Sequence, residues 1–275
     1  MHTEKAQEVK AEYEERLKGL AELTDAAQQS AQFAAYLRVA AKFHKYSPSN
    51  IWLILFQNPN ASRVAGYNRW KEFKRQVRKG EHGIAILAPC GFAAYHTETD
   101  DATGKERKIY ENANRFRVVI VFDVTQTEGE PLPEPLPWRT EERSEKIQTA
   151  LIDLARANGY TYREQDGLRE EAHVNYAARE IVSRPAAGTS ALIHEAAHML
   201  LHEGRHDLTD DQKETEAEAT AFIVCQHFGI ETNAPNYLAH WSSPVKIKAS
   251  THRILTCAEQ IIDACEEWAQ TAARN

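Results

Sequence analysis

Cysteine is scarce in this 275-residue chain: Cys90, Cys225, Cys257 and Cys265 are the whole complement, and no two form a Cys-x-x-Cys pair. That excludes a disulfide framework and a thiolate-built zinc module, and leaves reduced thiols, the last three in helix-forming stretches. Long hydrophobic runs are also missing. No apolar stretch approaches the roughly 20 residues that cross a bilayer, and the opening MHTEKAQEVKAEYEERLKGL is charged where a signal peptide would be apolar. A cytoplasmic protein with no membrane partner is expected. No low-complexity tract dominates, and 42% hydrophobic against 27% charged residues suits one or two globular domains.

Charge is unevenly spread beneath a net −7. Residues 26–97 carry ten Lys or Arg against two acids, Glu72 and Glu81, whereas residues 131–275 carry fourteen basic and twenty-three acidic side chains. The asymmetry suggests two modules with different partners, the first of them anionic. Pro131, Pro133, Pro135 and Pro137 alternate in TEGEPLPEPLPW, a pattern that forms neither helix nor inner strand. A linker over 127–139 is therefore expected, after an N-terminal helical extension (1–24) and a first domain (25–126), and before a second domain (140–275).

Before the linker, residues 3–18 read as a charged, exposed helix, and 25–46 as an amphipathic helix with Phe33, Leu37, Ala40 and Ala41 inward. Tyr67 to Lys79 reads as a third helix with Trp70, Phe73 and Val77 on its core stripe. Ile84–Ala88, Phe92–Tyr95 and Arg115–Phe122 read as strands, and TETDDATGKER as a flexible hairpin tip. In the second domain, a helix over 141–157, short strands near 160–163, 173–176 and 179–183, and a C-terminal helix from about 248 to 271 complete an α+β fold of two domains.

Chemistry concentrates at His194, Glu195 and His198 in the helical run from Ala191 to Leu201. Histidines four residues apart share a helix face and can reach one metal ion. Glu195 is placed to take a proton from metal-bound water rather than to bind the metal. The pattern reads as a zinc-dependent hydrolase, most often a peptidase. A tetrahedral catalytic zinc needs a third protein ligand. His202 is excluded on a straight helix, since three such histidines spread over about 12 Å, and His206 ranks second because Leu201 stands where the matching pattern has Gly. Glu214 and Glu218 lie on the apolar side of the helix over 211–228, which is costly unless they bind a cation. Glu216 points the other way, as a solvated charge. Glu214 is the expected ligand and Glu218 the expected partner orienting a ligand histidine, with the exchange of those roles left open. Tyr176, His227 and His240 are candidates for stabilising a developing oxyanion.

The run HEAAHMLLHEGRH with ETEAEATAFIVCQHFGI resembles the zinc-peptidase domain of the ImmA/IrrE family. That resemblance implies a zincin-like domain, two motif histidines joined by a glutamate of the next helix, and a gluzincin-like zinc-dependent metalloendopeptidase. The chain departs from the family at Val-Cys-Gln-His-Phe-Gly, where a Leu-Leu-Met-Pro-like segment is common. Residues 25–137 are similar to the N-terminal domain of ArdC-type antirestriction proteins. The similarity lies in Tyr46, Ser47 and Asn50, then Gly66-Tyr67-x-x-Trp70, Val77-Arg78-Lys79-Gly80-Glu81 and Phe122-Asp123-Val124-x-Gln126-Thr127. It implies a module that binds single-stranded DNA ahead of a peptidase-like domain.

Sequence-tolerant single-strand binding combines basic grooves with exposed aromatics. Among Tyr67, Trp52 and Tyr95, Tyr67 is the expected stacking residue, with Lys74, Arg75, Arg78 and Lys79 as phosphate contacts. The full expectation is a single-stranded-DNA-binding zinc peptidase, its cleavage gated by DNA, acting on a repressor or DNA-bound protein. The alternative is a non-proteolytic antirestriction protein that shields incoming DNA and keeps a structural or dormant zinc site.

Overall fold

The computed structural model describes residues 2–22, 26–90, 94–99, 106–111, 115–132, 143–232 and 244–272. Helices α1 (His2–Ala21), α2 (Ala26–Lys42) and α3 (Pro48–Gln57) lead the chain. α3 starts where Ser47 accepts from the Asn50 amide and Pro48 supplies a φ suited to the first turn. A three-stranded antiparallel sheet follows, ordered β1 (Val64–Gly66), β6 (Arg115–Asp123), β3 (Ile84–Cys90).

β3 is an edge strand, and α3 covers it. Asn50 donates to the Leu87 carbonyl and accepts from the Leu87 amide, each at 2.9 Å, while Gln57, two turns on, does the same to Ala85 at 2.9 Å. Helix side chains thus satisfy the backbone groups that an open edge would expose.

Tyr67 to Lys79 is not one helix. α4 stops at Glu72, Lys74 adopts φ 55°, and Arg75–Val77 forms β2, paired antiparallel with β7 (Thr127–Gly129). Gly129 has φ 137°, and a Cβ there would lie 2.3 Å from the Lys74 carbonyl, so this pairing needs glycine. Residues 127–129 therefore belong to a ladder rather than to a linker; 133–139 lie outside the described residues. Leaving the helix, Phe73 is exposed while Trp70 and Val77 stay buried. Ala94–Thr99 and Glu106–Glu111 pair as β4 and β5, so the polar stretch assigned to a hairpin tip is partly strand. Phe92 and residues 100–105 lie outside the described residues.

In the second half, α5 (Glu145–Ala157) precedes a sheet ordered β8 (Thr161–Glu164), β10 (Glu180–Ser183), β9 (Ala172–Asn175). β10 runs antiparallel to β9 but parallel to β8, so this sheet is mixed. The parallel pair follows from β9 lying between β8 and β10 in sequence but at the sheet edge in space. Helices α6 (Thr189–His202), α7 (Asp210–Phe228) and α8 (Pro244–Ala272) close the chain. α7 opens on a reciprocal Thr209–Gln212 capping box and ends at Gly229 with φ 71°. The start of α5 is tied to that of α6, where Ser144 N donates to Thr189 Oγ1 at 2.8 Å and Gln148 to the Ala187 carbonyl at 3.1 Å.

α1 is not an exposed extension. Ala6, Tyr13, Leu17 and Leu20 form a buried stripe, and Lys248 of α8 pairs with Glu14. Side chains from α1, α2, α3, α7 and α8 share one contiguous core. No helix of the described residues is long and apolar enough to cross a membrane.

Candidate metal centre and nucleic-acid face

α6 presents His194 and His198 one turn apart, and the first turns of α7 bring Glu214 across to them. The two Nε2 atoms lie 2.9 Å apart, and the Glu214 carboxylate oxygens stand 3.4 Å from His194 Nε2 and 3.2 Å from His198 Nε2. Donors bound to a tetrahedral zinc at about 2.0–2.1 Å would be spaced by roughly 3.3 Å. The three atoms fit such an ion, and two imidazoles with one carboxylate are the donor set zinc takes at sites that keep a position open.

Glu214 is 60% exposed on its side chain yet is held well below the ordinary carboxylate range by hydrogen bonding to His194, then His198. Burial opposes a charge on His194, but Glu214 together with Glu195 and Glu218 prevails and raises its pKa. Glu195 is buried, and its pKa is raised chiefly by that burial, offset by His194 and His198 and by a hydrogen bond from the Val174 amide of β9. Glu218 is exposed, also raised by burial of its carboxyl, and acts on the histidines through charge alone. It therefore does not orient either ligand by a hydrogen bond, as had been expected of it.

The orienting contact comes from a residue set aside on ligand geometry. His202 turns Nδ1 to His198 Nδ1 at 3.1 Å, and its Nε2 lies 3.6 Å from Glu216 Oε2. Glu216 is not a solvated charge: it is 2% exposed and receives both Nε and Nη2 of Arg253 from α8. Burial works against its charge, but His202 and Arg253 outweigh that and hold the carboxylate below its ordinary range. The reversal has a packing cause. α7 is flanked by α2, α6 and α8, and residues 216, 217 and 219–225 are all buried, so one polar-to-apolar boundary does not exist on it. The apolar side assigned to Glu214 and Glu218 is instead the open rim of the metal centre.

Tyr176 donates to the His198 carbonyl at 3.2 Å, and His227 contacts Glu266 at 3.0 Å and stacks edge-on against His44. His206 is exposed and lies outside the ligand cluster. His240 lies outside the described residues.

The residues expected to meet DNA divide into two sets. Arg75 donates to Thr127 Oγ1 and to backbone carbonyls of 127, 129 and 130, and Arg78 to Glu81 and the Thr125 carbonyl. Both guanidinium groups brace the fold. Tyr67, Lys74 and Lys79 are exposed, with Lys74 paired to Glu130 at 3.2 Å and the Lys71 ammonium 4.8 Å from the Tyr67 ring centre. Trp52 is fully buried against Tyr36, and the Tyr95 side chain lies outside the described residues. An unforeseen feature is an apolar strip: Phe116 and Ile120 are exposed on one face of β6, in line with Phe122, which meets Tyr67 edge-on. Alternation along β6 carries the signal for it.

The motif residues that carry the resemblance over residues 25–137 mostly hold this scaffold. Trp70 Nε1 donates to the Phe122 carbonyl at 2.9 Å, and buried Asp123 accepts from the amides of Ser62, Arg63 and Thr125. Burial would raise the Asp123 pKa, but those amides and the Thr125 hydroxyl bring it below normal.

Residues 6–122 match the family described as the N-terminal domain of anti-restriction factor ArdC, a match that takes in α1. An uncharacterized protein of Bacillus anthracis is 27% identical over 244 residues, covering 74% of this chain and 41% of that protein. The chain thus spans well under half the length of that curated relative. Two crystal structures of the antirestriction ArdC protein from plasmid R388 are similar. The metal-free one has 22% identity and a TM-score of 0.49, covering 82% of this chain and 86% of that chain. The Mn(II)-bound one has 21% identity and a TM-score of 0.47, covering 82% and 85%.

Proposed function

We propose, from an ArdC N-terminal-type domain over residues 6–122, that this chain is an antirestriction protein that binds single-stranded DNA and carries a divalent-metal centre in its second half. The match over residues 6–122 carries the reading. The surface supports it: Tyr67, Phe116 and Ile120 offer exposed faces for bases, and Lys71, Lys74 and Lys79 supply cations for phosphates. Equilibrium anisotropy with a labelled single-stranded oligonucleotide and its duplex tests this. Tight, salt-sensitive binding to the single strand is expected, and equal or absent binding to both would overturn it.

A second reading, a zinc-dependent metallopeptidase with an ImmA/IrrE-like, zincin-type second domain, is favoured by one observation: buried Glu195 beside the His194, His198 and Glu214 cluster. A structural metal site has no use for that carboxylate. When bound there, zinc would act as a Lewis acid and acidify water. Glu195, its pKa raised by burial and its carboxylate held by the Val174 amide, suits taking up and returning a proton. β9, an edge strand packed on α6, could pair with an extended peptide of a repressor or DNA-bound protein. Incubating the zinc-loaded protein with casein, with and without single-stranded DNA, tests it. Cleavage lost in Glu195→Gln supports a peptidase, and cleavage that survives in that variant removes it.

A further inference from the structure

Resting on the reading of this chain as a single-stranded-DNA binder, we infer that the DNA lies along the open face of the sheet β1–β6–β3 and is held extended, its bases unstacked from one another and seated on alternate side chains of β6.

Alternation divides β6 between two environments. Val121, with Ile84 and Ile86 of β3, faces the core shared with α1. Phe116, Val118, Ile120 and Phe122 take the other side, where Phe116 is 43% and Ile120 is 45% exposed and the two between and beyond them are half-buried. Ala65 of β1, opposite Phe122, and Pro89 of β3, opposite Phe116, extend the same face. An apolar row of this kind turned to water marks a surface for a partner.

The charge beside the row suits a phosphate backbone. Tyr67 meets Phe122 edge-on at 6.5 Å between ring centres, and the Lys71 ammonium stands over Tyr67. The turn from Lys79 to Gly83 reaches the same end. A Cβ on Gly83 would stand 2.2 Å from Ile120 Cγ2 and 3.0 Å from Phe122 Cζ, so this backbone lies directly on the apolar face. The turn is fixed, since Gln126 Nε2 donates to the His82 carbonyl at 2.7 Å and Arg78 to Glu81 Oε1 at 2.8 Å. Both acids of residues 26–97 are paired, Glu72 with Arg69 and Glu81 with Arg78, which leaves Lys71 and Lys79 to set the sign of the charge near Phe122.

The pitch of the row decides which form of DNA it takes. Side chains two residues apart on a strand are spaced by about 6.6–6.8 Å, so the row from Phe116 to Phe122 runs for about 20 Å. Stacked bases rise by only about 3.4 Å. A duplex or a stacked single strand puts two bases in the space of one side chain and hides the faces of both. An extended strand separates its bases to the spacing of the row and frees each face to stack on protein.

Anisotropy of the full chain with labelled oligo(dA) at fixed salt tests this, with the long-wavelength circular dichroism of the oligonucleotide recording its stacking. At saturation the stacked-strand signal should collapse. Phe116→Ala should weaken binding roughly 5- to 100-fold, and Ile120→Trp, which adds a ring at an exposed position, should tighten it severalfold. A misfolded protein does not bind more tightly, so the second change decides even where the first disturbs folding. Unchanged affinity in both variants, or a stacking signal retained at saturation, would overturn the inference while the single-strand reading stands. Self-association of the DNA-free chain in sedimentation, abolished by Phe116→Ala with DNA affinity unaltered, would also overturn it and give the face to a second copy. Failure of the unaltered chain to bind either oligo(dA) or oligo(dT) would refute the single-strand reading itself, and this use of the face with it.

Discussion

Arg75 Nε donates to Thr127 Oγ1 at 2.8 Å, a contact between β2 and β7 that spans 52 residues of sequence. A guanidinium spent in this way is unavailable to phosphate. Arg75→Ala should therefore lower stability by about 1–3 kcal/mol, since it strands several acceptors, and leave the salt dependence of DNA binding unchanged. Chemical denaturation and a salt series of binding constants check the two halves. A large loss of salt dependence in a stably folded variant would place Arg75 at the DNA.

Tyr67→Ala should behave in the opposite way. Its ring is exposed and, among the described residues, meets Phe122 edge-on with the Lys71 ammonium over it, so folding should be little affected. Loss of one stacking platform should weaken single-strand affinity by about 1–3 kcal/mol. Anisotropy titration at fixed salt reads it directly, and unchanged affinity would remove Tyr67 from the interface.

Both expectations depend on where α4 ends, and that boundary is hidden from local pattern. Trp70, Phe73 and Val77 have helical spacing, but the pairing of β2 with β7 is set by residues 127–129, far along the chain. The buried stripe of α1 is obscured for the same reason, since its partner α8 begins more than 200 residues later. His194, Glu195 and His198 are legible because one helical turn places them. Glu214 is legible because an acid is needed nearby. Glu216 is not, since its burial depends on Arg253 of another helix.

Ligand occupancy should raise stability. A divalent ion that binds only the folded chain adds about 2.7 kcal/mol at a hundredfold excess over its dissociation constant. Thermal unfolding with zinc and then with a chelator should show this shift, and Glu214→Ala should abolish it. A shift retained in Glu214→Ala would make another residue the third ligand.

Acid should loosen the junction of α2, α7 and α8. Burial, then the nearby His227 and Lys45, lowers the His44 pKa below its ordinary 6.5, so the unfolded chain holds the proton more tightly. Stability must then fall as pH drops through about 6.5 toward the lower folded value. The Glu266 and Asp263 charges oppose the shift but do not cancel it. Thermal midpoints of metal-free protein between about pH 7.5 and 5.5, compared with His44→Phe, check this. The variant should show a flatter dependence, and an identical slope would clear His44.

Delivery of single-stranded DNA into a restricting recipient tests the central claim most directly. Recovery of the incoming DNA should rise when the recipient makes this protein, rise equally with Glu195→Gln, and not change in a recipient without restriction. No rise in the restricting recipient would contradict an antirestriction role, and a rise that needs Glu195 would move the function to the metal centre.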